Sequence, residues 1–310
     1  MGRSGLEVSA IGLGGNNFGA RMDLDQVRAV VHCALDEGMT FIDTAEAYSD
    51  GVSEELLGAA LGDRRDEAVI ATKFGMSSAP GGAPGSRSNV IRACEASLRR
   101  LGTDHIDLYY LHRPDPTTPV EETLDALTDL VHQGKVRYVA GSNMKGWQVA
   151  DADHVARERG LQPFVADQVE WSLLARGAEA EVVPACRHFG VGVVPFFPLA
   201  SGLLTGKYAR DEEPPAGTRL AGRSRFARVL TDDNFDKVER LTGVAQESGR
   251  SILELALGWL LSQPGVSSVL AGATSVEQVQ ANAAASTWRL DADELAAVDE
   301  ALSPTAAPAS

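Results

Sequence analysis

Four residues carry the groups that a proton-transfer site needs, and each stands at or just past the end of an apolar run. Asp43 closes the run Thr40–Asp43, Lys73 closes Ala68–Lys73, and His112 closes His105–His112; Tyr48 follows Asp43 by five residues. A phenol with a pKa of about 10 is a poor proton donor at neutral pH. A neighbouring ammonium stabilises the phenolate and brings that pKa toward useful acid–base range. An ammonium set against apolar sequence wants a carboxylate, and Asp43, on what reads as the adjacent strand, can supply one. His112 adds an imidazole able to orient a carbonyl oxygen. Singly, each has an ordinary structural explanation: a salt bridge, a core-edge tyrosine, a satisfied histidine. Together at strand ends on one face, they make sense as a single relay.

The elements that must position them alternate from end to end. Eight β-rich runs are Ser9–Leu13, Thr40–Asp43, Ala68–Lys73, His105–His112, Val136–Ser142, Phe164–Val169, Gly192–Phe197 and Val266–Ala271. Each is nearly continuous in apolar residues or rich in Val, Ile, Phe or Tyr, as parallel strands covered on both faces are. Helical patterns lie between them. Asp23 with Gln26 resembles a capping box, Thr118-Pro119 with Glu121 reads as N-cap, first-turn proline and N3 acid, and Ser251 and Asp291 open later helices. Eight strand–helix units in 310 residues predict a (β/α)8 TIM barrel, with one domain over 1–302 and a loose tail over 303–310. Active-site groups of such barrels sit at strand C-termini. Two long connections, Met76–Arg87 and Tyr208–Asp233, follow strands and so fall on that face.

Composition excludes several classes of function. The formal charge is −15, which disfavours a non-specific nucleic-acid grip. Cys33, Cys94 and Cys186 form no CxxC pair and read as small buried hydrophobes. No HExxH or His/Cys cluster occurs, so no metal is expected. The start of the chain lacks a signal-peptide core, and Ile252–Leu261 is too short and carries Glu254, so no membrane span is expected and the cytoplasm is the default. A doubly wound dinucleotide fold would show GxGxxG after its first strand; Gly12-Leu-Gly14-Gly15-Asn-Asn17 fails at the third glycine.

The segments Phe41-Ile-Asp43-Thr-Ala-Glu-Ala-Tyr48, Ala71-Thr-Lys73-Phe, Asp107-Leu-Tyr-Tyr-Leu-His112, Gly134-Lys-Val-Arg-Tyr-Val-Ala-Gly-Ser142-Asn143 and Gly272-Ala-Thr274-Ser-Val-Glu-Gln278-Val-Gln-Ala-Asn282 make the chain resemble the aldo-keto reductase superfamily over nearly its whole length. It is most similar to the branch holding bacterial reductases and the beta subunits of voltage-gated potassium channels. The resemblance implies that Tyr48 is the general acid, Lys73 and Asp43 its tuning pair, and His112 the carbonyl orienter. It also implies an NADP(H) site, with NAD the less expected cofactor. Ser142, Asn143 and Gln168 would hold the nicotinamide carboxamide and Phe196 would stack on the ring. Gly15 and Asn16 would line the site beside the first strand. Leu199, Ser201, Gly202, Lys207 and Arg219 would cover the pyrophosphate, and Gly272, Thr274, Gln278 and Asn282 would hold the adenosine end.

Three departures qualify the expectation. Gln278 stands where some members have an Arg for the 2′-phosphate, leaving that group to Thr274, Lys207 and Arg219. The N-terminal hairpin that closes the barrel bottom is short, so Gly2–Val8 is expected to pair poorly. The tail after Leu302 is short and small-residued, which suggests a roomy site of broad specificity. Around the relay, Glu46 is either within reach of the pocket or a solvated loop acid. Trp171 is a candidate substrate wall, and Arg113 either attracts an anionic substrate or pairs with Asp115. His32, His132, His154 and His188 fall on helix patterns and read as surface or satisfied residues.

Two functions follow. The first is an NADPH-dependent reductase acting on a small carbonyl or sugar substrate, with no nucleic-acid or membrane partner. The second is a nicotinamide-binding regulatory or partner-binding protein with little turnover. Oligomeric state stays open.

Overall fold

A computed structural model describes residues 1–76, 82–216, 218–221 and 227–303. Eight parallel strands close a barrel in sequence order. They are β1 (Ile11–Gly14), β2 (Phe41–Asp43), β3 (Val69–Phe74), β4 (Ile106–Leu111), β5 (Val136–Ser142), β6 (Ala166–Glu170), β7 (Gly192–Phe196) and β8 (Val269–Gly272). The helices are α1 (Leu24–Asp36), α2 (Val52–Leu61), α3 (Arg87–Leu101), α4 (Val120–His132), α5 (Gly146–Arg159), α6 (Val182–Phe189), α7 (Asp232–Glu247), α8 (Ile252–Leu261), α9 (Val276–Ala285) and α10 (Ala292–Leu302). This is the (β/α)8 architecture that the alternating pattern predicts.

Strand parity divides the core in two. Phe41, Ala71, Leu108, Ala140, Ala166, Val194 and Leu270 point into the barrel and form one cluster, while their neighbours Ile42, Ile70, Tyr109, Val139 and Val193 join the larger layer beneath the helices. Because the side-chain period of a strand is two, the residues one step further along the inward series are Asp43, Lys73, Tyr110, Ser142, Gln168, Phe196 and Gly272. A layer rich in polar groups therefore caps an apolar one at the C-terminal mouth.

Five of the ten described helices, α1, α7, α8, α9 and α10, begin where an N-cap side chain accepts from one of their first N–H groups. Asp23 and Gln26, Ser251 and Glu254, and Asp291 and Glu294 form reciprocal capping boxes. Helices α2, α3, α4 and α6 lack such a cap; the N-cap of α4 is Pro119, one residue past the expected Thr118, whose hydroxyl donates to Asp115 Oδ2. The unusually apolar α8 is buried almost all round, from Leu255 to Leu260, between barrel and neighbouring helices.

The bottom of the barrel is closed differently from the expected hairpin. Residues 1–10 form turns and extended chain with no strand pairing, and Leu6 enters the inner cluster with Met1 and Val8 packed against it. A single inserted side chain fills the narrow end, so no ladder is needed. The three cysteines are unpaired, with Cys94 and Cys186 in the core. Part of each long connection (77–81, 217 and 222–226) and the end of the tail (304–310) lie outside the described residues.

Candidate active site

Asp43 and Lys73 come from adjacent strands whose register pairs Asp43 with Ala71, which sets Lys73 two residues higher on the same wall. Lys73 Nζ donates to Asp43 Oδ2 at 2.5 Å, to the Thr44 carbonyl at 2.9 Å and to Tyr48 Oη at 3.2 Å. The ammonium has no exposed surface, and Asp43 very little. All three of its N–H groups thus find oxygen, as a buried cation requires. Asp43 is held from its other side by Gln168 Nε2, which donates to Oδ1 at 2.9 Å. Thr44 is fixed in turn: its hydroxyl lies 2.7 Å from that of Ser53, which donates to the Gly15 carbonyl at 2.9 Å.

The electrostatics follow from burial. Desolvation works against the Lys73 charge, but Asp43 and Tyr48 outweigh it and hold the lysine above its ordinary pKa, as an ammonium. Burial pushes the Tyr48 phenol up; Lys73 pulls it back, Asp43 adds to the rise, and Arg219 also lowers it, leaving it above the ordinary value. This corrects the expectation of a net lowering. Desolvation of a phenolate exceeds what one ammonium returns, so the Tyr48 phenol is protonated at neutral pH, and the neighbouring Lys73 limits the cost of its ionised form.

Tyr48 sits where the backbone is strained. Ser49 and Asp50, directly after it, have φ of 51° and 54°, and Gly51 follows at 91°. The Ser49 hydroxyl donates to the Phe18 carbonyl at 3.1 Å and ties this turn to the β1 loop. The other non-glycine residues of positive φ among the described residues are Asn143, Phe197, Ala200, Ser201 and Asp211. All follow strand C-termini, on the face where the relay lies. Left-handed conformations cost about 1–3 kcal/mol each, so the strain is gathered where function would use it.

His112 lies edge-on to the Tyr48 ring, centroids 5.9 Å apart. Its Nδ1 is buried with no hydrogen-bond partner among the described residues. Burial, with Lys73 and Arg113 nearby, pushes its pKa down to about 3. It is therefore a neutral imidazole at working pH.

The residues expected at the cofactor cluster on the same face. The Ser142 hydroxyl donates to the Gln168 carbonyl at 2.9 Å, and Asn143 Nδ2 donates to the His112 carbonyl at 3.0 Å, so β4, β5 and β6 are cross-tied at their ends. Phe196 ends β7 against Phe197, ring centroids 5.2 Å apart. Leu199, Ser201 and Gly202 lie in the strained loop after β7, and Lys207 packs over Tyr208 with its ammonium 5.2 Å from the ring centroid. Arg219 crosses to the β1 loop, where Nη2 donates to Asn16 Oδ1 at 3.0 Å and Asn17 Oδ1 at 2.9 Å. Gly15 starts that loop, its N–H on the Asp43 carbonyl at 2.7 Å. A Cβ on Gly272 would lie 3.8 Å from Asn16 Oδ1, so this glycine lies beside the asparagines that Arg219 reaches. Thr274 N–H donates to Gln278 Oε1 at 2.9 Å, which closes the start of α9. Asn282 is buried, and its Nδ2 has no partner among the described residues.

Other readings change. Trp171 is no pocket wall: it is 1% exposed, stacked edge-on to Trp259 and bonded through Nε1 to Glu179. Asp115 does not pair with Arg113, because its oxygens accept from the N–H groups of Gly85 and Thr117 and the hydroxyls of Thr117 and Thr118. Glu46 is not a solvated loop acid: it is half-buried and accepts from the Gly75 N–H at 3.0 Å. Sequence reasoning passed over Asn17 and Thr44, which hold Arg219 and Lys73; both stand inside the quoted motifs, but their side chains suggest no chemistry alone. Among the described residues no cluster of His, Cys, Asp or Glu could hold a metal, and no helix is long and apolar enough to cross a membrane.

The His112 shift has a measurable consequence. Its pKa is about 3 folded and near 6.5 when solvated. The unfolded chain therefore binds the extra proton first as pH falls, and stability declines between these values. His112→Gln should flatten the decline below about pH 6.5 in urea denaturation against pH. An unchanged slope would show that the imidazole is not held neutral.

The match to known proteins agrees with this geometry. The model of the Aldo/keto reductase family matches residues 10–303. A probable voltage-gated potassium channel subunit beta of Oryza sativa subsp. japonica is 38% identical over 291 residues, covering 91% of this chain and 88% of that protein. A probable aldo-keto reductase 1 of Glycine max is 36% identical over 312 residues, covering 97% and 88%. An uncharacterized oxidoreductase YrpG of Bacillus subtilis (strain 168) is 38% identical over 293 residues, covering 90% and 88%. With a closed eight-stranded barrel and a buried carboxylate–ammonium–phenol relay at its mouth, this chain belongs to the aldo/keto reductase family.

Proposed function

We propose that this protein is an NADPH-dependent oxidoreductase that reduces aldehyde or ketone carbonyls to alcohols, with Tyr48 as the proton donor. The observation that carries the reading is the 3.2 Å contact between the Tyr48 phenol and a fully buried ammonium. The phenol oxygen gives that ammonium its third acceptor, and the ammonium in turn stabilises the phenolate that proton donation leaves.

The residues present suit a nicotinamide dinucleotide. The orphaned Asn282 Nδ2 offers a buried donor at the expected adenosine end, and Gly272 leaves room beside Asn16 and Asn17. Ser142, Asn143 and Gln168 would hold the carboxamide, Phe196 the ring face, Leu199, Ser201, Gly202 and Lys207 the pyrophosphate, and Arg219 with Thr274 the 2′-phosphate. Such a cofactor supplies a hydride to the carbonyl carbon. The carbonyl oxygen takes its proton from Tyr48, leaving a phenolate beside Lys73, and the neutral His112 donates to the same oxygen to orient it. The reverse reaction, alcohol or lactol oxidation, uses the same groups. A cytoplasmic location suits this chemistry.

The second reading is a cofactor-binding regulatory or partner-binding protein, which the relative named as a potassium channel subunit favours. Turnover separates the two: NADPH bound but not consumed across a panel of aldehydes and diketones would support the second. Under the first, Tyr48→Phe should lower kcat by about 10²–10⁴ with NADPH affinity nearly intact; an unchanged kcat would remove Tyr48 from the chemistry.

The cofactor choice is checked separately. A charge-assisted hydrogen bond contributes about 1.5–3 kcal/mol, so Arg219→Ala should weaken NADPH binding by about 10–150-fold and NADH binding far less. Equal losses would mean that Arg219 serves the shared pyrophosphate. Tighter binding of NADH than NADPH by the unmodified protein would overturn the assignment.

A further inference from the structure

Tyr48 and Lys73 lie on separate segments, and a loop of several residues separates the phenol from the end of β2. Their 3.2 Å contact needs something to hold that loop against β3. Three hydrogen bonds run the loop along the strand. Thr44 N–H donates to the Ala71 carbonyl at 2.8 Å, Glu46 N–H donates to the Lys73 carbonyl at 3.1 Å, and Gly75 N–H donates to Glu46 Oε1 at 3.0 Å. Glu46 supplies two of the three and so grips β3 on both sides of Phe74. The Phe74 carbonyl accepts the His112 N–H at 2.8 Å. The end of β3 thereby joins the phenol's loop to the imidazole's strand. Tyr48 N–H closes the turn onto the Ala45 carbonyl at 3.0 Å, one residue before Glu46.

We propose that Glu46 is a positioning residue of the relay: by accepting the Gly75 N–H, its carboxylate sets the distance between the Tyr48 phenol and the Lys73 ammonium, and so the acidity of the proton donor. The inference rests on the reading of Tyr48 as that donor. Its physical basis is the steep dependence of the ammonium's effect on separation inside a low-dielectric site. The titratable and charged groups facing the phenol are Lys73, Asp43, Arg219 and the neutral His112 imidazole, and those facing Glu46 are Glu54, Arg92 and Arg100; of these Lys73 makes the direct contact with the phenol. Loosening the loop weakens that contact first.

The test compares Glu46→Ala and Glu46→Gln in the holoenzyme, with NADPH and 4-nitrobenzaldehyde as probes, over a range of pH. Glu46→Ala should lower kcat about tenfold, the cost of roughly one hydrogen bond in the transition state. The KM for NADPH should hold, and the phenol's inflection in the pH profile should move to higher pH. Glu46→Gln keeps an oxygen for the Gly75 N–H and should restore both to within about threefold. A Glu46→Ala enzyme with the kcat and inflection of the unmodified one would overturn the proposal. So would a Glu46→Gln enzyme as impaired as Glu46→Ala. If Glu46→Ala does not fold by circular dichroism, Glu46→Asp, which keeps the charge but shortens the reach, must show the same upward inflection; its absence overturns the proposal too. An ultraviolet difference titration of the phenol, taken against Tyr48→Phe, reads the separation without turnover. Full activity in Tyr48→Phe would defeat the proton-donor reading, while an unmoved titration in Glu46→Ala would defeat the role of Glu46.

Discussion

A lysine ammonium shut away from water organises the mouth of this barrel. Removing such an ion from water costs several kcal/mol even after relaxation. The structure meets that cost by giving all three N–H groups an oxygen: the Asp43 carboxylate, the Thr44 carbonyl and the Tyr48 phenol. Each acceptor is then fixed by something else. Gln168 holds Asp43 across the barrel, Ser53 holds Thr44 and connects to Gly15, and the strained turn from Ser49 to Gly51 holds Tyr48. Three strands, two loops and the start of α2 therefore agree on one point of positive charge.

That agreement depends on strand parity. The alternation that turns Phe41, Ala71 and Ala166 into the apolar inner cluster also turns Asp43, Lys73 and Gln168 inward one step nearer the mouth. The lower layer excludes water from beneath the relay, and Leu6 closes the far end. The apolar plug and the buried ion pair are two parts of one arrangement, since the pair is strong only where the medium is poor. On the rim, where backbone is free of the ladder, the left-handed residues collect; the packed barrel below can hold conformations that an isolated loop would not keep.

Much of this was legible from residue types alone. A lysine ending an apolar strand has few reasons to be there, and a carboxylate ending the neighbouring strand is its natural partner. Eight β-rich runs separated by capped helices left little choice of architecture. What stayed hidden depends on three-dimensional neighbours. Trp171 looked free because its packing partner, Trp259, comes from α8, far along the chain. Thr118 looked like a cap, but α4 begins one residue later, with Pro119 as its N-cap, and the Thr118 hydroxyl turns back onto Asp115. The direction of the Tyr48 shift depends on how much water the folded site excludes, which residue types do not encode. Glu46 read as either a pocket acid or a solvated one, because the Gly75 N–H that its carboxylate accepts is a backbone group with no sequence signature.

On the proposed function, the buried Lys73 ammonium is the group that stabilises the Tyr48 phenolate. Lys73→Met removes the charge and keeps much of the side-chain length. With NADPH and a simple aldehyde, kcat should fall by about 10²–10⁴, and the phenol's inflection should move to higher pH, because burial would then act unopposed by the neighbour that lowers it most. NADPH affinity, read by fluorescence titration, should be nearly unchanged. A folded Lys73→Met protein that turns over at the original rate with the original pH profile would contradict the central claim.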